Sequence, residues 1–419
     1  MMAVNSERIS GLEKIYQTVR NKTMELVRPI SRDDFMVQSI PQASPPKWHL
    51  AHTTWFFDRF ILRNYLKNWK TPDTNYDFLF NSYYETLGPY MEKISRKSLS
   101  RPSLEEVYEY REAVDEAIAM AFNENQRDDN FLKLVELGIN HEEQHQELLL
   151  MDIKINYYNS PYRPAYTKRK GISEASEMKF IRMDGGVKEI GWGEEGFSFD
   201  NERPRHRVYL SPFRISSRPV SNAEYVRFIE DGGYERPELW LSDGWAFIKQ
   251  KSQKLPLYWE KEGDQYLIFK LSGVENLNES EPAVHISYYE ADAFARWSGM
   301  RLPTEAEWEL FATSSRHITK GNFMEENSLH PACIHKDGQP QISGASWEWT
   351  SSPYVPYPGY RPYDGSLGEY NGKFMNNQYV LRGGSAVTPE RHYRNTYRNF
   401  YHPDSSWQFS GIRLAGDIS

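Results

Sequence analysis

A chain of 419 residues with 50 Lys+Arg against 58 Asp+Glu carries a formal net charge of −8. That balance speaks against a dedicated nucleic-acid binder, which displaces counterions with a net basic face. No run of about 18 apolar residues offers a membrane span, and one cysteine, Cys333, excludes an internal disulfide framework or a multi-cysteine zinc site. The N-terminus lacks the basic-then-apolar order of a secretory signal. The expectation is a cytoplasmic α+β protein without nucleic-acid or membrane partners, its oligomeric state left open. At this length two domains are expected, each able to bury a core.

Residues 1–158 read as helical. A first amphipathic stretch runs from about Arg8 to Leu26, with Ile9, Leu12, Ile15, Tyr16 and Val19 near helical spacing. Pro45-Pro46 precedes a second helix through Trp48, Ala51, Trp55 and Phe56, since proline suits a first turn. Ser103, with Glu106 as its capping-box partner, opens a third. The fourth runs from about Asn130 to Tyr158. Four such helices fit a four-helix bundle. The connection from Asn68 to Arg101 is too long for a bundle loop, which marks it as functional. Residues 159–178 are polar and proline-bearing, a linker. From there 179–419 shows short β-like runs punctuated by glycine, such as Phe180–Met183, Arg207–Leu210 and Tyr379–Arg382. Two helices are expected, Ser221 to Glu230 and Ser287 to Ser298, each opened by a serine with Glu three positions on. Coil dominates the remainder.

The chemistry concentrates in Asn140-His141-Glu142-Glu143-Gln144-His145-Gln146-Glu147. Residues four apart share a helical face, and the stripe holding His141 and His145 continues through Leu134, Gly138, Leu148 and Asp152. Two imidazoles on an apolar stripe cost burial free energy unless each is satisfied. A shared metal ion satisfies both, as would structural hydrogen bonds. In the second helix His52 shares a face with Trp48, Trp55 and Phe56 and so points inward, while His49 lies off that stripe and reads as supporting or structural. Three inward imidazoles from two helices make a metal set with open positions, which implies catalysis; imidazole suits Zn, Cu, Fe and Ni alike.

Around that set, Gln144 is either a substrate-facing amide or a solvated helix-surface residue. In the marked loop the adjacent Tyr83 and Tyr84 are candidates for proton donor or orienter, or for packing. Arg96 and Arg101 are candidates to grip a carboxylate, or solvated. In the second half, rings lie beside Asn and Arg in Trp347-Glu348-Trp349-Thr350, in the loop through Tyr360 and Tyr363, and in Tyr397-Arg398-Asn399-Phe400-Tyr401. Such clusters suit a small cationic or zwitterionic ligand; for most of these rings, packing of a loop-rich core is the simpler reading.

The set Trp48-His49-Leu50-Ala51-His52, Phe80-Asn81-Ser82-Tyr83-Tyr84 and His141-x-x-x-His145-x-Glu147 resembles the DinB-type helical domain of the ergothioneine-biosynthesis sulfoxide synthases. The second half resembles the formylglycine-generating-enzyme (sulfatase-modifying factor) domain, a C-type-lectin-like fold, through Arg301-Leu302-Pro303-Thr304-Glu305, Trp347-Glu348-Trp349-Thr350, Leu381-Arg382-Gly383-Gly384-Ser385 and Gly411-Ile412-Arg413-Leu414-Ala415. The resemblance implies Fe(II) held by His52, His141 and His145, and coupling of the imidazole C2 of hercynine to a cysteine-type thiol with O2 as co-substrate. It implies hercynine binding by Gln144, a trimethylammonium pocket lined by Asn399 and Phe400 that completes the substrate site, and a proton donor in Tyr83 or Tyr84, with Tyr360 and Tyr363 competing. Formylglycine chemistry needs a cysteine pair that Cys333 does not supply. Actinobacterial members place an acidic residue after the Arg-Asn-aromatic motif to bind γ-glutamylcysteine; here Tyr401 follows, so free cysteine is the expected donor. Selenoneine-type and ovothiol-type enzymes of the same architecture, and a DinB-type metal-dependent thiol transferase, are the alternatives. An ovothiol-type enzyme would be expected to continue into a methyltransferase beyond Ser419.

Overall fold

The computed structural model describes residues 2–125, 128–168, 177–314, 321–333 and 340–418, with only the backbone of 2–9. Positions 169–176 of the expected linker lie outside the described residues. The chain forms two compact units, one of Met1–Tyr166 with Gly365–Tyr370, the other of Thr167–Asp364 with Asn371–Ser419.

The first unit is helical. α1 (Met2–Val27) begins earlier than the apolar period indicates and buries Tyr16, Val19, Leu26 and Val27. α2 (Pro46–Phe57) has Pro46 in its first turn, and every one of its residues is buried, the polar Lys47, His49, His52, Thr53 and Thr54 included. It runs on into a π-helical turn, Asp58–Leu62. The buried Asp58 carboxylate gathers that turn by accepting from Arg63, Trp69 Nε1 at 2.8 Å, Thr71 Oγ1 at 2.9 Å and Tyr110 Oη at 2.7 Å. After a three-residue α3 (Arg63–Tyr65), the marked connection contains α4 (Tyr76–Phe80) and short 3-10 turns at Glu85–Leu87 and Lys93–Ser98. The Ser103–Glu106 capping box forms and opens α5 (Leu104–Glu124). Asp128 caps α6 (Asp129–Tyr158) by accepting from the amides of Asn130 and Phe131.

Helices α2 and α6 approach closely at one glycine. A Cβ on Gly138 would stand 2.6 Å from Cε1 of Phe57, a fully buried ring. Gly138 is one turn before His141, and Phe57 follows His52 on α2, so this contact draws the two histidine-bearing segments together. On the far side of α6, Glu142 is buried between Arg20 of α1 and Arg111 of α5. Burial pushes its carboxyl up, but the two guanidiniums outweigh that and hold it at about 2.

The second unit is a set of small sheets linked by coil. β1 (Phe180–Met183), β4 (Phe213–Ser216) and β12 (Ala415–Asp417) form one sheet in the order β1-β4-β12; β2 (Gly186–Ile190) pairs with β3 (His206–Leu210). β5 (Trp259–Glu262), β6 (Gln265–Lys270) and β7 (Gly273–Asn276) form an antiparallel meander. β8 (Trp347–Pro353), β9 (Tyr379–Arg382), β10 (Asn399–Tyr401) and β11 (Ser410–Gly411) form the order β10-β9-β8-β11, parallel only between β11 and β8. The expected helices are α7 (Asn222–Glu230) and α9 (Tyr288–Trp297), both with complete capping boxes. Two more were not anticipated, α8 (Ser242–Lys251) and α10 (Glu305–Ser314).

The second-half motifs lie inside this unit. Arg413 makes a bidentate pair with Glu348, both bonds 2.6 Å, and Trp308 Nε1 donates to the same carboxylate at 2.6 Å. Arg382 and Arg398 converge on Glu305 at 3.1 and 2.9 Å. Trp347 and Trp349 are buried; these rings pack the core.

Candidate metal centre

His52, His141 and His145 each present one ring nitrogen within 4.8 Å of the others. His52 and His141 are buried; His145 is half-buried. The stripe that carries the pair on α6 is thus less enclosed than a core face, since Leu134, Gln144 and Leu148 are also half-buried, while Gly138, His141 and Asp152 are buried. His52 Nε2 and His141 Nε2 face each other at 3.1 Å. His52 Nδ1 donates to the Phe80 carbonyl at 2.5 Å, which leaves its Nε2 as a lone pair. His49 lies behind His145, with Nδ1 3.0 Å from His145 Nδ1.

Burial keeps all three imidazoles neutral. It holds His141 at about 3. His52 and His145 are held well below the ordinary imidazole range by burial first, then by their histidine neighbours. With the His52 hydrogen on Nδ1, the 3.1 Å contact is satisfied either by a hydrogen on His141 Nε2 or by a cation held between the rings. That donor set fits a divalent transition metal.

The neighbouring residues divide sharply. Trp48 stacks on His52 with ring centroids 4.4 Å apart, and the Arg96 guanidinium lies 3.4 Å from the Trp48 ring centre while donating to Ser44 Oγ at 2.8 Å. Arg96 is therefore buried and engaged, not solvated. Arg101 is exposed, and among the described residues it bonds only the neighbouring Ser100 carbonyl. Tyr84 is fully buried against Phe60 and Trp55, whereas Tyr83 is half-buried with its ring 6.2 Å from that of Tyr370. Tyr370, absent from the sequence reading, belongs to the first unit with Gly365–Glu369. Its hydroxyl bonds Gln144 Oε1, and its ring lies 5.8 Å from His141. Glu369 fastens the segment by accepting from the amides of Glu85 and Thr86 at 3.0 and 3.1 Å and from Thr86 Oγ1 at 2.6 Å. No periodicity marks this segment; the density of tyrosines in that loop was the one available signal.

The remaining candidates belong to the second unit. Tyr360 Oη donates to Asp200 at 3.0 Å, and Tyr363 Oη donates to the Ser198 carbonyl at 3.1 Å. Phe400 stacks on Tyr354 at 4.1 Å and lies 5.9 Å from Phe374, with Asn399 Oδ1 accepting from the Phe400 amide.

Comparison with known proteins agrees with these two halves. Residues 15–149 match the DinB superfamily, and 168–337 with 334–418 match the sulfatase-modifying factor enzyme 1-like domain, so the chain joins a DinB-type helical region to a sheet-containing sulfatase-modifying-factor domain. A hercynine oxygenase of Mycolicibacterium smegmatis is 34% identical over 67% of this chain and 71% of its own length. One from Mycolicibacterium thermoresistibile is 30% identical over 95% of this chain and 93% of its own length. An ergothioneine biosynthesis protein of Schizosaccharomyces pombe is 31% identical over 52% of this chain and 27% of its own length. The chain belongs to the hercynine oxygenase family, the ergothioneine-biosynthesis sulfoxide synthases its motifs resemble, and is an enzyme of the oxygenase type. Among the described residues no helix is long and apolar enough to cross a membrane.

Proposed function

We propose that this chain joins the imidazole C2 of hercynine to a cysteine-type thiol as the sulfoxide, a step of ergothioneine biosynthesis that depends on Fe(II) and O2. The observation that carries the proposal is the convergence of three neutral imidazoles, His52, His141 and His145, in a chain whose relatives are named hercynine oxygenases. Imidazole donors alone do not separate iron from zinc, copper or nickel; the oxygenase relatives favour iron. Held by His52, His141 and His145, Fe(II) would supply the one-electron chemistry that O2 requires.

The protein residues bind, orient and move protons. Gln144, beside His141 and in contact with Tyr370, presents a side-chain amide to the hercynine imidazole. Tyr83 is the proton donor of the tyrosine pair, because its ring is half-buried, while fully buried Tyr84 holds the loop against Trp55 and Phe60. Tyr360 and Tyr363 brace their own loop, since their hydroxyls donate hydrogen bonds to Asp200 and the Ser198 carbonyl. Asn399 and Phe400 receive the trimethylammonium group, attracted by the half-buried Phe400 ring, which buried Tyr354 backs by stacking. The thiol carboxylate falls to Arg101 rather than Arg96, whose guanidinium is engaged by Ser44 and Trp48. With Tyr401 after the Arg-Asn-aromatic motif, free cysteine is the preferred sulfur donor.

In this reading 1–158 is a DinB-like four-helix bundle carrying the ligands, 159–178 a linker, and 179–419 a C-type-lectin-like domain that contributes Asn399 and Phe400. The test is anaerobic reconstitution with Fe(II), then O2 uptake with hercynine and each thiol in turn, products identified by mass. Uptake coupled to a hercynine–cysteine sulfoxide supports the proposal. No uptake with any thiol removes it, and a strong preference for γ-glutamylcysteine removes the sulfur-donor assignment alone.

A further inference from the structure

We infer that His49 and Asp152 form a relay behind His145 that fixes its tautomer and makes it the strongest donor of the three histidines. This rests on the reading that His52, His141 and His145 hold a metal.

His49 stands one turn before His52 on α2 and is 3% exposed. Its Nε2 is 3.0 Å from Asp152 Oδ2, and its Nδ1 is 3.0 Å from His145 Nδ1. Asp152 is on α6, two turns beyond His145 and so on the same face. The same Oδ2 accepts the Ser44 amide at 2.7 Å.

These contacts determine where the hydrogens lie. A carboxylate only accepts, so His49 carries its hydrogen on Nε2 and donates to Asp152. Neutral His49 then has a lone pair on Nδ1. A 3.0 Å nitrogen–nitrogen contact to His145 is attractive only when His145 Nδ1 carries the hydrogen and donates. His145 is left with its lone pair on Nε2, available to a metal. His52 reaches the same tautomer through a weaker partner, the neutral Phe80 carbonyl. The buried Nδ1 of His141 has no hydrogen-bond partner among the described residues.

The three histidines are therefore backed unequally: a carboxylate acting through an imidazole behind His145, a carbonyl behind His52, nothing behind His141. Negative charge behind a ligating imidazole raises its basicity, and loss of such a partner lowers metal affinity about 10- to 100-fold. Asp152 and His49 are positioning residues. A purely structural clasp between α2 and α6 would instead lower stability and leave affinity alone.

The measurement is Co(II) affinity of the full apo-chain by chelator competition, with the melting temperature of each apo-variant and ¹⁵N spectra of the histidine rings. Asp152→Asn keeps the side-chain shape and removes the charge; His49→Gln breaks the relay at its middle. Both are expected to weaken Co(II) binding about 10- to 100-fold, and apo wild type should show His145 protonated at Nδ1. Affinity within about twofold of wild type for both variants, with a lowered melting temperature, overturns the inference in favour of the clasp. Should a variant not fold, the wild-type spectrum decides, because His145 protonated at Nε2 also overturns it. A different failure, His145→Ala binding Co(II) as tightly as wild type, would sink the three-histidine centre itself.

Discussion

Each unit buries polar groups, and does so to opposite ends. In the second unit the family-marking residues are closed on one another: Arg413 with Glu348, Arg382 and Arg398 with Glu305. In the helical unit the polar groups at the centre are neutral histidine nitrogens that meet at 3.1 Å and can exchange that contact for a shared cation, while the charged groups Arg20, Glu142 and Arg111 are set behind them. A buried set that satisfies itself serves the fold. A buried set of neutral donors held only by one another is poised for a ligand. The motifs of the two halves therefore have different physical content, one lock and one site.

The largest expected effect tests the open set. Replacing His52, His141 or His145 singly by Ala should leave the chain folded, with bound iron near zero by elemental analysis and turnover abolished. A variant that keeps full iron while losing activity would assign that histidine to substrate rather than metal. The closed set should respond the other way. Glu348→Gln strands the Arg413 guanidinium in a buried site, a loss of about 3–5 kcal/mol by analogy with broken buried pairs, read by denaturant unfolding. Replacing both partners together, E348Q with R413M, should recover part of that loss. No loss from E348Q would mean the motif is not the lock described.

Acid should act on a second closed group of the same unit, Glu281 with His330 and Lys270. Burial pushes the Glu281 carboxyl up, but His330 at 3.1 Å and Lys270 at 2.8 Å outweigh it and hold it at about 2, against an ordinary value of 4.5. A depressed folded value stabilises the protein above the unfolded one. That stabilisation, about 3 kcal/mol from the size of the shift, is present above about pH 4.5 and is lost as pH falls towards about 2. Urea unfolding across that window should show the slope, and Glu281→Gln should flatten it. Equal slopes would mean that other carboxylates carry the acid sensitivity.

How far the sequence reaches also differs between the two regions. The histidines were legible because a helical period places them: four residues join His141 to His145, and the Trp48–Phe56 stripe aims His52. Capping boxes at Ser103, Ser221 and Ser287 were legible because their chemistry is local. α10 carries the same signal, since Thr304 Oγ1 accepts from the Glu307 amide at 3.2 Å while the Glu307 carboxylate accepts from the Thr304 amide at 2.7 Å, a threonine capping box that begins inside the Arg301–Glu305 motif. α8 gave no such signal, as Leu241 caps it without a side-chain bond. Tyr370 could not be placed, because what brings it to His141 is Glu369 gripping the turn at Glu85 and Thr86, nearly 300 residues away in sequence. Nothing in their own helices marks Arg20, Arg111 and Glu142 as buried; the meeting of three helices makes them a buried group.

The smallest effects come from two helical glycines that a propensity scale treats alike. Alanine is favoured over glycine by about 1 kcal/mol inside a helix. At Gly11 in α1 an added Cβ meets nothing within 4 Å, so Gly11→Ala should stabilise by up to about 1 kcal/mol. At Gly138 the added Cβ falls 2.6 Å from Phe57, and that ring cannot swing aside, being fully buried and set edge-on to Tyr16 at 4.9 Å. Overpacking of this kind costs about 1–3 kcal/mol, which offsets the helical gain and leaves a net loss. The relief available to the structure is to part α2 from α6, which also separates His52 from His141. Gly138→Ala should accordingly weaken metal binding along with stability, while Gly11→Ala should leave metal binding unchanged. If G138A proves as stabilising as G11A and binds metal normally, the close approach at Phe57 is not what sets the spacing of the histidines.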